Sequence, residues 1–194
     1  AKQLPLVQKF KGDALTFVAG SSWGPDEEIF IQYFNNHPEV KLVIAPHVVS
    51  DGHLKEIISK LQCTSIRYTQ ATEENVSDAR CLIIDCYGLL SSIYRYGEIS
   101  YVGGGFGVGI HNVLEAAVYG IPVVFGPNNK KFREAQHLLE KKGGFEIKDY
   151  KDFECLLDKL LADKTYLEQS GKAAGDYVKH NAGALDKIMQ SIPF

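Results

Sequence analysis

The chain has 194 residues, 45% hydrophobic and 23% charged, with a net charge of −3. This is the balance of one soluble globular domain spanning 1–194 with a sizeable core, and it gives no electrostatic reason to bind nucleic acid. No apolar run approaches the ~18 residues of a membrane span, and no signal peptide is recognised. The start at Ala1-Lys2-Gln3, without Met, reads as a processed or excised piece. Cys63, Cys81, Cys86 and Cys155 form no C-x-x-C pair, which argues against zinc or thioredoxin-type chemistry. A reducing compartment is the simplest setting for them.

In chain order, short apolar runs alternate with amphipathic stretches. A strand is predicted over 14–19 and a helix over 25–35, with Pro25 at its first position and Asp26, Glu27 and Glu28 in its positive first turn. A strand over 41–45 and a helix over 52–61 follow, then a weaker strand over 65–69 and a polar loop over 72–78. A strong strand over 81–85 leads to a helix over 88–96, and a strand over 99–102 ends in a glycine cluster. A helix over 112–119 closes on Gly120. A strand over 122–125 and a helix over 131–141 follow. From residue 151 onward only helices are expected, over 152–162 and 166–181. This β-α-β-α order predicts an α/β fold, a doubly wound parallel sheet of Rossmann-like type with helices on both faces and a helical C-terminus. Such sheets bind ligands at the carboxyl ends of their strands, so the loops at 20–24, 46–51, 85–88, 103–112 and 126–130 are the candidates.

Five of the seven residues from Gly103 to Gly109 are glycine. Glycine lets backbone approach a ligand closely, and this run sits between a strand and a helix start, where unpaired N–H groups receive phosphate without Lys or Arg. G-x-G-x-x-G does not fit, because Val108 and Ile110 stand where glycine is needed, and no Walker sequence is present. The alternative is a glycine-rich turn that only lets the helix pack on the sheet. Asn112 reads as an N-cap. Glu115, three residues on, either completes a capping box with Asn112 or turns a carboxylate toward ribose hydroxyls. Trp23 reads either as a partly buried core residue or as a ring that stacks on a ligand or closes a domain interface.

The segment Gly103-Gly104, then His111-Asn112-x-Leu114-Glu115-Ala116-Ala117, Gly120-Ile121-Pro122-Val123 and Gly126-Pro127, resembles the C-terminal domain of Kdo transferases. Ala19-Gly20-Ser21-Ser22 with Glu27-Glu28, Val43-Ile44-Ala45-Pro46-His47, Asp85 with 89–96, and Asn181-x-Gly183-Ala184-Leu185 extend the likeness over nearly the whole chain. The family are two-domain GT-B glycosyltransferases that move 3-deoxy-D-manno-octulosonic acid (Kdo) from CMP-Kdo to lipid A precursor. Three departures stand out. The glycine loop is about one residue short and lacks charged residues. The stretch from His47 to His53 has no arginine for the leaving phosphate, so either His47 or His53 replaces that charge or nothing does. Lys131 stands where the family tends to have Asn.

The resemblance implies a donor-binding half that holds CMP or CMP-Kdo through Gly104, Gly105, Gly107, Gly109, His111, Asn112, Glu115, Ser21, Ser22, Pro46, His47 and Asp85. No metal or other cofactor is expected, since no D-x-D triplet is present and a CMP-sugar carries one phosphate. No catalytic base is expected in this half. His111 is the one loop residue able to move a proton, as a helper of the leaving group. The implied partners are the enzyme's own N-terminal domain, taken to be absent from this chain, and lipid A precursor bound through that domain. The implied location of the full enzyme is the cytoplasmic face of the bacterial inner membrane. Rival readings are another GT-B donor domain, a UDP-sugar 2-epimerase, a non-catalytic nucleotide-binding module, and a structural domain without ligand.

Overall fold

The computed structural model describes residues 2–191, with side chains described through 181. Among these, the chain runs α1 (Pro5–Lys11), β1 (Thr16–Ser22), α2 (Gly24–Asn35), β2 (Lys41–Pro46), α3 (Asp51–Lys60), β3 (Ser65–Arg67) and β4 (Cys81–Ile83). It continues through α4 (Leu90–Ile93), β5 (Ile99–Val102), α5 (Leu114–Ala117), β6 (Val123–Phe125), α6 (Arg133–Glu140), β7 (Gly144–Glu146), α7 (Tyr150–Ala162) and α8 (Lys164–Ser191). The strands form one parallel sheet in the order β3-β4-β2-β1-β5-β6-β7.

Strand residues alternate between two cores, as a sheet buried on both faces requires. Phe17, Ala19, Leu42, Ile44, Ile83 and Tyr101 pack with α2, α3 and α7 on one face. Val18, Val43, Leu82, Val102, Val123 and Phe125 pack with α1, α5 and α6 on the other. The doubly wound sheet is therefore as expected. Chain connections leave β1 toward β2 on one side, while β5 lies on the other side of it. That reversal opens a crevice outside the carboxyl ends of β1 and β5, the place where such sheets take ligands.

Several expected elements are corrected. The strand β7 and the helix α1 were not anticipated. The predicted helix over 88–96 is a single α turn, α4, followed by a 3-10 turn at Tyr94–Tyr96. The helix expected over 112–119 is only α5, four residues long, extended by turn hydrogen bonds to Gly120. Gly120 has φ 70°, the left-handed stop that was expected.

Candidate functional site

β1 ends in an irregularity between Gly20 and Ser22, and Ser21 takes the left-handed φ of 52°, a costly conformation for a residue with a Cβ. The distortion turns the chain so that Trp23 stands as the N-cap of α2 at the switch point. β5 ends beside it and delivers the glycine loop. Gly104 has φ 94°, and a Cβ on Gly105 would lie 2.6 Å from the Cα of Gly126, so both positions need glycine.

Asp26 ties these parts together. Its carboxylate is 1% exposed and accepts the Tyr101 hydroxyl at 2.7 Å, the Gly104 N–H at 3.0 Å and the Trp23 N–H at 2.9 Å. Burial raises its pKa above the ordinary carboxylate value, against the pull of those donors and of His111. Glu27, also 1% exposed, accepts from Ser22 Oγ at 2.8 Å and lies 3.0 Å from His53 Nε2. Burial likewise pushes it up, opposed by Ser22 and His53. Both acids had been read as charges in the positive first turn of the helix. Their burial is a tertiary effect: Tyr101 and Gly104 close on Asp26, and Ser22 and His53 on Glu27.

At the mouth of the crevice three rings stack. His47 lies against Trp23 with centroids 4.5 Å apart and against His111 at 4.6 Å. Trp23 Nε1 donates to His111 Nε2 at 3.3 Å. Burial, then the neighbouring His47, lowers the pKa of His111, with Asp26 opposing. Asn112 is exposed, and its Oδ1 accepts the Leu114 N–H at 3.0 Å. It thus closes the entry to α5 one residue ahead of the cap position, which Val113 holds. The backbone N–H groups of Asn112 and Val113 have no protein acceptor among the described residues. Glu115 is half-buried and, among the described residues, makes no hydrogen bond. The capping box with Asn112, one of its two sequence readings, is absent, which leaves its carboxylate uncommitted among the described residues. Two cavities flank this corner. One of ≈ 160 Å³ lies between Trp23, Pro25, Asp26, Gly104 and Phe106. The other, of ≈ 430 Å³, is lined by Ile110, His111, Asn112, Val113 and Phe132.

The structure brings His47, His111 and the glycine loop together, with Ser21 and Ser22 beside Gly103 and the Ser22 carbonyl accepting the His47 N–H at 2.9 Å. Ser22 is fully buried with its hydroxyl committed to Glu27, and Ser21 is 8% exposed. Ser22 thus serves the framework at the end of β1. Pro46 is buried at the end of β2, where it pairs with Ser22. Asp85 spends its carboxylate on the N–H and hydroxyl of Thr69, at 2.9 and 2.5 Å, and so braces the loop after β3. His53 turns Nε2 to Glu27 at 3.0 Å and Nδ1 to Glu56 at 3.6 Å. Gly107 sits at the exposed loop tip. Asn128 was not singled out. Its backbone bonds Gly105 and Ile110 and its amide donates to Gly107 O, so it staples the glycine loop. Asn129, fully buried, bridges Gly126 O and Glu146. Lys130 and Asn129 hold Glu146 below its ordinary pKa, outweighing the upward push of burial.

The fold is of the Rossmann-like class found in GT-B glycosyltransferases. The C-terminal CMP-Kdo binding domain of WaaA from Acinetobacter baumannii superposes with a TM-score of 0.76 at 19% identity, covering 90% of this chain and 98% of that one. HepE from Anabaena, solved with UDP-glucose, gives 0.65 at 12% identity over 98% of this chain and 54% of its own. At these identities the likeness is one of fold. Within the class, the chain is similar in sequence to 3-deoxy-D-manno-octulosonic acid transferases, as the C-terminal domain of that type. The enzyme of Aquifex aeolicus is 30% identical over 180 residues, 88% of this chain and 49% of its own length. That of Rickettsia typhi is 27% identical over 187 residues, 91% of this chain and 40% of its own length. The chain thus spans half or less of these curated relatives. No family model matches it.

Proposed function

We propose that this chain is the donor-binding half of a Kdo transferase. It holds CMP-Kdo in the crevice at the ends of β1 and β5. With an acceptor-binding half it moves Kdo to a lipid A precursor in lipopolysaccharide assembly, at the cytoplasmic face of the inner membrane. The observation that carries this reading is the convergence of the glycine loop, the unpaired N–H groups of Asn112 and Val113, His111 and the uncommitted Glu115 on one corner of the topological switch point. Among the described residues no helix is long and apolar enough to cross a membrane.

In this reading the phosphate lies against the Gly104–Gly109 loop and the N–H groups of Asn112 and Val113, with His47 and His111 beside it. Glu115 accepts hydrogen bonds from the ribose hydroxyls. The donors are fixed by the fold before substrate arrives, so they meet the charge that grows on the departing phosphate without reorganising. They do this work in place of a metal. α5 is too short for much of a helix dipole, so individual N–H groups carry the effect. In the transfer itself an acceptor hydroxyl attacks the anomeric carbon of Kdo, the bond to the phosphate oxygen breaks, and CMP leaves with inversion. The hydroxyl proton goes to a base outside this chain.

The test supplies CMP-Kdo and a lipid A precursor. The chain alone is expected to give no product above background. Fusion to the N-terminal half of a Kdo transferase is expected to give transfer, which Glu115→Gln removes. Transfer by the chain alone would contradict the division of labour.

A further inference from the structure

We propose that Trp23 is a positioning residue that holds His111 in the neutral tautomer protonated at Nδ1, so that the ring offers an uncharged N–H donor to the phosphate of a bound nucleotide. The phosphate part rests on the nucleotide reading above; the tautomer part stands on geometry alone.

An indole has one polar hydrogen and accepts nothing, so the contact from Trp23 Nε1 to His111 Nε2 fixes the direction of the bond. The accepting nitrogen must keep its lone pair. The single ring proton of neutral His111 is therefore on Nδ1. The orientation of the ring agrees. A Cβ on Gly104 would stand 3.2 Å from His111 Cδ2, so the Cδ2–Nε2 edge faces inward, toward Gly104 and Trp23. Nδ1 lies on the opposite edge, and no protein acceptor meets it among the described residues. His111 also lines the cavity that holds Asn112 and Val113, whose N–H groups are likewise unpaired. His47, stacked on both rings, fixes their spacing. Charging His111 would require breaking the bond from Trp23, in a site where burial and His47 already disfavour the cation and only Asp26 favours it. Trp23 thereby acquires a role separate from both sequence readings, packing and stacking on a ligand.

Long-range ¹⁵N–¹H correlation spectra of the imidazole nitrogens, recorded on the ligand-free chain near neutral pH, test this. The His111 signals are assigned by their loss in His111→Gln. The expected pattern has Nδ1 protonated and Nε2 bare. Trp23→Phe keeps a ring against His47 but removes the donor, and should move His111 toward the Nε2-protonated form while weakening CMP binding about 2- to 10-fold, the value of one neutral hydrogen bond. A wild-type His111 protonated at Nε2, or a pattern unchanged by Trp23→Phe, would overturn the proposal. Should Trp23→Phe not fold, the wild-type spectrum still decides the tautomer. A wild-type chain with the expected tautomer that binds no CMP would instead overturn the nucleotide reading, and with it the phosphate role of the Nδ1–H.

Discussion

Glu115 is half-buried on α5, its carboxylate open to solvent and without a protein hydrogen-bonding partner among the described residues, so it is free to accept donors from a ligand. Glu115→Gln should therefore weaken CMP binding about tenfold or more, the loss of charge-assisted bonds of roughly 1.5–3 kcal/mol. It should leave the melting temperature almost unchanged. Paired titration and melting curves check this, and loss of stability with intact affinity would return Glu115 to a purely structural role. Glu27 behaves in the opposite way. Its folded pKa is raised by burial, so the folded chain holds this proton more tightly than the unfolded one. Its stabilising contribution is complete below the unfolded value and is lost as pH rises through the raised folded value. Glu27→Gln should remove that loss. The difference in melting temperature between wild type and variant should move in favour of the variant as pH climbs through the weakly acidic range, and parallel profiles would refute it. None of this was legible at residues 26–28. Three acids in a helical first turn look alike in sequence, and only their tertiary partners, Tyr101 and Gly104 for Asp26 and Ser22 and His53 for Glu27, decide which are buried.

Among the elements, the glycine loop gives the sharpest contrast. A Cβ on Gly105 would meet the backbone of Gly126 at 2.6 Å, whereas at Gly107 nothing lies within 4 Å. Gly105→Ala should cost roughly 1–3 kcal/mol, as overpacking does when backbone must move. Gly107→Ala should stay within about 0.5 kcal/mol, as at other unconstrained surface sites. Chemical denaturation of the two variants measures the difference, and equal costs would mean the loop is not clamped against Gly126. Six of the strands were legible because apolar runs bounded by turn residues mark a buried parallel sheet. β7 was not, since Gly144-Phe145-Glu146 is three residues with neither alternation nor β-branching. α1 escaped because it is seven residues long with Leu4 at its cap. The helix after the glycine loop read as two turns because Asn112 resembles a cap. In the structure Asn112 bonds Leu114 from outside and the helix stops at Ala117.

At the scale of the whole molecule, the strand order places the crevice between β1 and β5, and the unpaired N–H groups of Asn112 and Val113 belong to the loop that follows β5. Strand order is set by packing on both faces, so the sequence pointed to five candidate loops without ranking them by geometry. The glycine loop ranked first on composition, while the 85–88 loop is braced by Asp85 on Thr69, away from the histidine stack. On the proposed function, in which a second half and the sugar complete the site, this chain alone should bind the nucleotide weakly. A Kd of about 0.1–1 mM for CMP, or roughly 4–5.5 kcal/mol, is the expected range. The most direct measurement is a residue-resolved chemical-shift titration of the chain with CMP, run beside UMP and UDP. The account predicts saturable shifts at residues 103–115, with Trp23 and His47 responding, and tighter binding of CMP than of either uridine nucleotide. Shifts confined to other parts of the surface, or a preference for UDP, would contradict it.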